Sequence, residues 1–196
     1  MLILMDDYCL RPIEEKDLRL LLEWRNSDRI RMMMLSQHKI TWSEHKAWFE
    51  KIKGNTPPRN FIFEYRNCPI GYGGYSEYDE QSKTAADGLY IGEADGVPVD
   101  AGIVLELMLL HYAFTVLNVK AILGTERAEN KRVKGMNKAI GFTIVDEKDG
   151  IIYLKFRRDD WMKKRPVLES FLTNSIRIEK EEDYGFMLAS MKGKVK

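Results

Sequence analysis

The run from Ala101 to Val116 constrains this chain more than any other segment. It reads Ala-Gly-Ile-Val-Leu-Glu-Leu-Met-Leu-Leu-His-Tyr-Ala-Phe-Thr-Val and predicts a helix that is apolar nearly all round. Such a helix belongs in an interior, so other elements must cover it. A membrane span needs about 20 apolar residues, and no run in the chain approaches that length. The opening Met1–Met5 is apolar but has no basic residues ahead of it and meets Asp6-Asp7 at once. It reads as a ragged lead-in to a first strand rather than a signal segment. The 196 residues suit one domain with a sizeable core.

The flanking patterns say what covers that helix. Tyr8 to Ile13 reads as a strand, and 15–34 as one helical stretch with Leu18, Leu21, Leu22 and Arg25 on a face. Thr41-Trp42-Ser43-Glu44 has the form of a capping box, opening a second helix that stops at Gly54-Asn55-Thr56-Pro57-Pro58. Strands follow at Asn60–Tyr65, Ile70–Tyr78 and 86–92, the second either weakened by Gly71, Gly73 and Gly74 or marked by them as a place of close backbone approach. Beyond the apolar helix come a strand at Ala121–Arg127, a short helix at Lys131–Ile140 closed by Gly141, and a hairpin around Asp149-Gly150. A last helix is predicted over 159–171. The expected fold class is therefore α+β (mixed α/β): one largely antiparallel twisted sheet flanked by helices, with a C-terminal helical extension. The domain is expected over 1–172, with 173–196 as a charged, weakly patterned extension.

Lys plus Arg is 31 and Asp plus Glu is 30, and this balance argues against a dedicated surface for nucleic acid or anionic membrane. Cys9 and Cys68 are 59 positions apart with no CxxC pair, so neither a disulfide framework nor a zinc site is expected, and a cytoplasmic location fits.

Three stretches resemble the GNAT superfamily of acetyltransferases. Leu10-Arg-Pro-Ile-Glu-Glu-Lys-Asp-Leu-Arg-Leu-Leu-Leu-Glu-Trp-Arg-Asn26 is similar to the opening of the branch that holds ribosomal-protein and amino-sugar acetyltransferases. Asp87-Gly-Leu-Tyr-Ile-Gly92 is similar to that branch's fourth strand. Leu117–Lys120 through Glu129–Phe142 is similar to the family's fifth strand, Asn-containing turn, short helix and closing Gly-Phe. Trp24-Arg25-Asn26 with Ile30-Arg31, Ile40-Thr41 with Glu44-His45 and Trp48-Phe49, and the later Asp160-Trp161 lean toward enzymes that acetylate a nucleotide-linked 4-amino-sugar, as in pseudaminic-acid synthesis.

The resemblance implies acetyl transfer from acetyl-CoA to a primary amine. It implies that the pyrophosphate sits at the N-terminus of the apolar helix, on Ala101 and Gly102, where free amides and the dipole favour anions. The family's Gln/Arg-x-x-Gly-x-Gly/Ala loop falls on Val97-Pro-Val-Asp-Ala-Gly102, where only Gly102 matches; Asp100 reads equally as a helix N-cap. An amide near Tyr90 or Ile91 is the implied oxyanion donor, an ordinary buried strand being the plainer reading. Asn130 is implied to meet the pantetheine arm, and also suits an N-cap. Asn137 stands where relatives carry a tyrosine facing the departing thiolate; it can donate a hydrogen bond but not a proton at neutral pH. Tyr90, Tyr75 and Tyr112 are other candidates for that task. For the base, Thr125 occupies the usual strand position, with Glu126 on the opposite face. Glu77 is then the favoured carboxylate and His45 the second candidate, with a solvated carboxylate and a packing histidine as the competing readings.

Arg25, Asn26, Trp42 and His45 are the expected acceptor-binding residues. Trp24 and Trp48 read as core, Trp42 and Phe49 as core or stacking platform, and Arg25 and Arg31 as phosphate ligands or exposed helix arginines. No metal is expected. The expected partners are a small-molecule amine, nucleotide-linked in the favoured reading, and a second copy of the chain; nucleic acid and membrane are not. Protein N-terminal or ribosomal-protein acetylation, and a GNAT-fold binding domain without catalysis, are the alternatives.

Overall fold

The computed structural model describes residues 1–170 and 176–179. Its first surprise is the lead-in. Leu2–Met5 (β1) is a strand in its own right, and Asp6-Asp7 makes the turn into Tyr8–Pro12 (β2), with Asp6 at φ 50°. Asp tolerates that left-handed conformation better than most residues, so two adjacent acidic residues mark a turn here.

A single 3-10 turn at Glu15–Asp17 leads to Leu18–Asn26 (α1) and the one-turn helix Asp28–Arg31 (α2). The helix expected as one piece thus breaks at Ser27, whose extended backbone ends α1 and whose hydroxyl donates to the Trp24 carbonyl. Trp42–Ile52 (α3) begins with the capping box read from sequence: the Thr41 hydroxyl accepts from the Glu44 amide, and Glu44 reaches back to the Thr41 amide.

Asn60–Tyr65 (β3), Cys68–Asp79 (β4) and Thr84–Ile91 (β5) run as an antiparallel meander. Ala101–Thr115 (α4) then crosses over to Ala121–Arg127 (β6), which lies parallel to β5. Lys131–Ile140 (α5) ends on Gly141 at φ 110°, the left-handed C-cap that its lack of Cβ permits. Thr143–Lys148 (β7) and Ile151–Arg157 (β8) form the Asp149-Gly150 hairpin, and Arg158–Glu169 (α6) follows. Ile176 joins the core and Arg177–Glu179 (β9) pairs with β1; residues 173–175 and 180–196 of the expected extension lie outside the described residues.

The sheet order is β7-β8-β6-β5-β4-β3-β2-β1-β9, and β5–β6 is the parallel neighbour pair in it. All the other pairings are antiparallel, as expected. α4 lies beneath the middle of the sheet, with Val104, Leu105, Met108, Leu109 and Tyr112 fully buried against Phe61, Phe63 and Ile122. A separate cluster on the other face joins Leu21 and Trp24 to Ile62, with Trp48, Tyr72 and Tyr90 packed around it.

Candidate functional site

The parallel pair is short. β5 and β6 are in register only over Thr84–Ala121, Ala85–Ile122 and Ala86–Leu123. Beyond Ala86 the strands part, while β5 stays bound to β4 as far as Gly71–Ile91 and β6 stays bound to β8 as far as Arg127–Ile151. The result is a wedge in the sheet with one backbone edge of each strand free inside it.

A cavity of about 340 Å³ fills the wedge. Its walls are Asp87, Gly88 and Leu89 of β5, Gly124 to Arg127 of β6, Asn130, Val133 and Asn137 around α5, and the segment 33–36. A second cavity of about 360 Å³ lies on the α1/α3 side, lined by Arg25, Ile40, His45, Trp48, Tyr72 and Tyr90 among others. Arg25, Met34, Gly88 and Leu89 line both, so the two cavities meet at that point.

The second cavity has aromatic walls. Tyr72 and Tyr90 stack at 5.2 Å, Trp48 meets Tyr72 edge-on at 6.3 Å, and His45 stacks on Trp48 at 5.1 Å. Burial lowers the His45 pKa, so the ring is neutral near pH 7, and its Nε2 is buried without a hydrogen-bond partner. Arg25 donates from Nη2 to the Ser36 carbonyl at 2.7 Å, but its Nη1 is buried and unpartnered. Burial works against the guanidinium charge there, and Tyr90 is the group beside it that favours that charge. A fixed cation with a spare donor at the junction of two cavities is a ready contact for an anionic or strongly polar ligand group.

Three of the acceptor-site expectations change. The Asn26 amide is spent on the backbone of Ile40, donating to its carbonyl and accepting from its N–H, both at 2.8 Å. Asn26 therefore pins the 32–40 segment and does not line either cavity. Arg31 does similar work, donating to the Gln37 carbonyl and to Asp28. Trp42 is 43% exposed on the outer side of α3, with Arg19 over its ring, and lies one residue layer away, behind His45.

On the wedge side, Asn130 caps α5 by accepting from the Val133 amide at 3.3 Å, while also lining the cavity, so both sequence readings coexist at this residue. Asn137 donates to Glu126 Oε2 at 2.7 Å. One of its two amide N–H groups is thus engaged, and it orients a carboxylate that burial pushes toward the neutral form. Glu126 itself is buried and lines the wedge, where Thr125 was the expected occupant; both are there. Glu77 is elsewhere: it is exposed, at φ 49°, in the irregular stretch where β4 and β5 slip register between Ser76 and Asp79. The carboxylate favoured as base from sequence therefore does not reach the wedge.

Tyr90 and Ile91 lie on the diverging part of β5, and Arg29 donates to the Ile91 and Gly92 carbonyls at its end. Ala101 opens α4 fully buried, with its amide bound to the Pro98 carbonyl. The Gly102 and Ile103 amides have no acceptor among the described residues, and no side chain caps the helix. Asp100 does not cap it either. Its backbone is helical, and its Oδ1 accepts from the Tyr8 hydroxyl at 2.7 Å.

Sequence reasoning passed over two carboxyls at the vertex of the wedge. Asp87 is the first β5 residue beyond the last β6 pair, and Glu106, only 3% exposed, rises from α4 to the same cavity. The available signal was a single charged residue inside an otherwise apolar helix. Among the described residues no cluster suited to a metal is present.

A family model described as acetyltransferase (GNAT) domain matches residues 7–143. No curated protein matches the sequence. Among solved structures, the chain is similar to a spermidine N-acetyltransferase from Vibrio cholerae in complex with CoA and spermine, with TM-score 0.72 and 18% identity over 80% of this chain and 99% of that one. It is similar to FdhC, a nucleotide-linked sugar GNAT, with TM-score 0.72 and 20% identity over 85% and 95%. The aminoglycoside acetyltransferase AAC(6')-Ib in complex with coenzyme A gives TM-score 0.65 and 19% identity over 81% and 99%.

Proposed function

Since this chain belongs to the GNAT acetyltransferase family, we propose that it moves acetyl from acetyl-CoA to the primary amine of a nucleotide-linked amino-sugar. The carrying observation is the meeting of the two cavities at Gly88, with Arg25 between them. Acetyl-CoA brings the thioester. The free amides of Gly102 and Ile103 suit its pyrophosphate, by the dipole and by hydrogen bonding. The open edge of β5 offers backbone amides near Tyr90 and Ile91 to a developing oxyanion. Asn130 and the α5 wall suit the pantetheine arm.

The acceptor class rests on the lining of the second cavity. A polyamine is matched by carboxylates, and the lining offers one, Glu44, which is exposed and committed to the α3 capping box. Arg25 repels a polycation, whereas stacked Tyr72 and Tyr90 with Trp48 suit a ring, and the spare Nη1 suits a phosphate or carboxylate on it. The test is acetyl-CoA-dependent thiol release with three acceptors: a nucleotide-linked 4-amino-sugar, spermidine, and a peptide with a free N-terminus. A kcat/KM at least tenfold higher for the sugar is expected. Preference for spermidine or for the peptide would overturn the acceptor assignment, and absence of acetyl-CoA binding would overturn the whole reading.

A further inference from the structure

Asp87 and Glu106 come from different elements, yet both line the vertex of the wedge and their carboxyls interact there. Two ionised carboxylates carry only acceptors, so that contact requires a proton between them. Burial opposes ionisation of both, and the charge of Asp87 opposes that of Glu106 further. The surroundings give no relief. Among the described residues neither carboxyl has a basic ion-pair partner. Tyr75 faces the pair from β4, its hydroxyl held by the Leu109 carbonyl, and Tyr112 stands beside Tyr75 on α4. Across the wedge are Glu126 of β6, whose carboxylate accepts from Asn137 of α5, and Arg25 of α1, which donates to the Ser36 carbonyl. Glu106 Oε1 is buried and unpartnered, an uncommon state for a carboxyl oxygen and a place where a further donor fits.

We infer that Asp87 and Glu106 form a carboxyl pair at the vertex of the wedge that accepts the proton released by the acceptor amine. This rests on the acetyl-transfer reading above. Carboxyls that share one proton hold it as a monoanion. The amine nitrogen adds to the thioester carbonyl carbon, the C–N bond forms, and the C–S bond breaks with its electron pair leaving on sulfur. The proton freed from nitrogen passes to the monoanionic pair, which becomes fully protonated. The pair then gives one proton to the thiolate, so CoA leaves as the thiol and the pair is again a monoanion. One pair thus serves as both base and acid. That removes the need for a tyrosine at the position of Asn137, whose amide cannot give a proton.

Two measurements test this. Carbon-13 NMR of aspartate- and glutamate-labelled protein, assigned with Asp87→Asn and Glu106→Gln, reads the pair without any substrate. One proton retained at pH 7 and two separated titration steps are expected; both carboxyls ionised at pH 7 would overturn the inference. The second is the pH profile of thiol release with the nucleotide-linked 4-amino-sugar. Asp87→Asn should lower kcat about 100-fold, the ordinary scale for a general base. Glu106→Gln should move the ascending limb to higher pH, because Asp87 loses the protonated partner whose hydrogen bond favours its charge, and calorimetric acetyl-CoA affinity should hold in both variants. If acetyl-CoA binds and neither profile moves, the proton role alone falls. If the wild-type protein binds no acetyl-CoA, the acetyl-transfer reading falls and takes the proton role with it.

Discussion

Gly88→Val separates the fold from the crossing between the cavities. A Cβ built on Gly88 meets no atom within 4 Å, and the backbone there is ordinary strand, so valine fits without displacing a neighbour. In a strand, replacing glycine by a β-branched residue gains up to about 1 kcal/mol, from backbone entropy and packing on the pleated surface. For a chain of this size that raises Tm by about 2–4 °C. The open space that makes the substitution harmless to the fold is also the space the amine must cross, since Gly88 lines both cavities. Reacting atoms must come within about 3–3.5 Å, and a displacement of about 1 Å costs on the order of 100-fold in rate, or about 2.7 kcal/mol. The two effects have opposite signs. Thermal melting should show Tm unchanged or raised, while kcat/KM for the acceptor falls about 100-fold. A valine variant that is stable and fully active would show that the reaction does not pass Gly88, and the assignment of the two cavities would fail with it.

Three further outcomes follow from the geometry. Gly92→Ala would set a Cβ 2.1 Å from the Trp24 indole, which is also held by its Nε1 bond to Glu93; a loss of about 1–3 kcal/mol in urea unfolding is expected, with a change in tryptophan fluorescence, and an unchanged midpoint would mean the ring moves freely. Asp17 meets Arg11 through two bonds of 2.7 and 2.8 Å and accepts from the Glu14 amide; burial alone would raise its pKa, but these bonds outweigh it and hold the carboxyl below the usual range. Its stabilisation is therefore present above about pH 4, the unfolded value, and lost as pH falls through the lower folded value; Asp17→Asn should cost about 2 kcal/mol at pH 7 and progressively less below pH 4, and a gap constant with pH would refute the ion pair's role. Asp100→Asn keeps an acceptor for Tyr8 but removes a negative charge beside the open end of α4, so calorimetry at low salt should show acetyl-CoA binding tightened several-fold; equal or weaker binding would put the pyrophosphate elsewhere.

The sequence carried the elements whose cause is local. Thr41 and Glu44 cap a helix within four residues of each other, Asp149-Gly150 turns a hairpin by itself, and α5 is bracketed by Asn130 and Gly141. Elements that depend on distant partners were less legible. The four residues of β1 become a strand because β2 and β9 pair with them on either side. The break at Ser27 stands beside the bonds by which Asn26 holds the distant Ile40 backbone. The same division runs through the site. The two strands that bound the wedge, and the helix between them, were legible in the sequence. Which carboxyls enter it was not: Glu77 and Asp87 lie ten positions apart on adjacent strands, and only the register slip between Ser76 and Asp79 turns one outward.

The division of labour along β5 then follows from strand geometry. Successive side chains point to opposite faces, so Asp87, Leu89 and Ile91 turn toward α4, while Gly88 and Tyr90 turn toward α1 and α3. The packing agrees: Leu89 and Ile91 join the large cluster around α4, and Tyr90 joins the cluster of Leu21 and Trp24. One strand, free on a single edge, thus supplies backbone amides between the faces, an acidic pair on one side and an aromatic wall on the other. A slip of one residue in the β4–β5 register would exchange the two faces, burying Tyr90 against α4 and putting Asp87 beside Arg25. The register is held by the cross-strand Tyr72–Tyr90 stack and by close approach, since a Cβ on Gly71 would lie 2.6 Å from the Tyr90 carbonyl oxygen. A glycine that weakens β4 as a strand therefore helps to fix the chemistry of its neighbour.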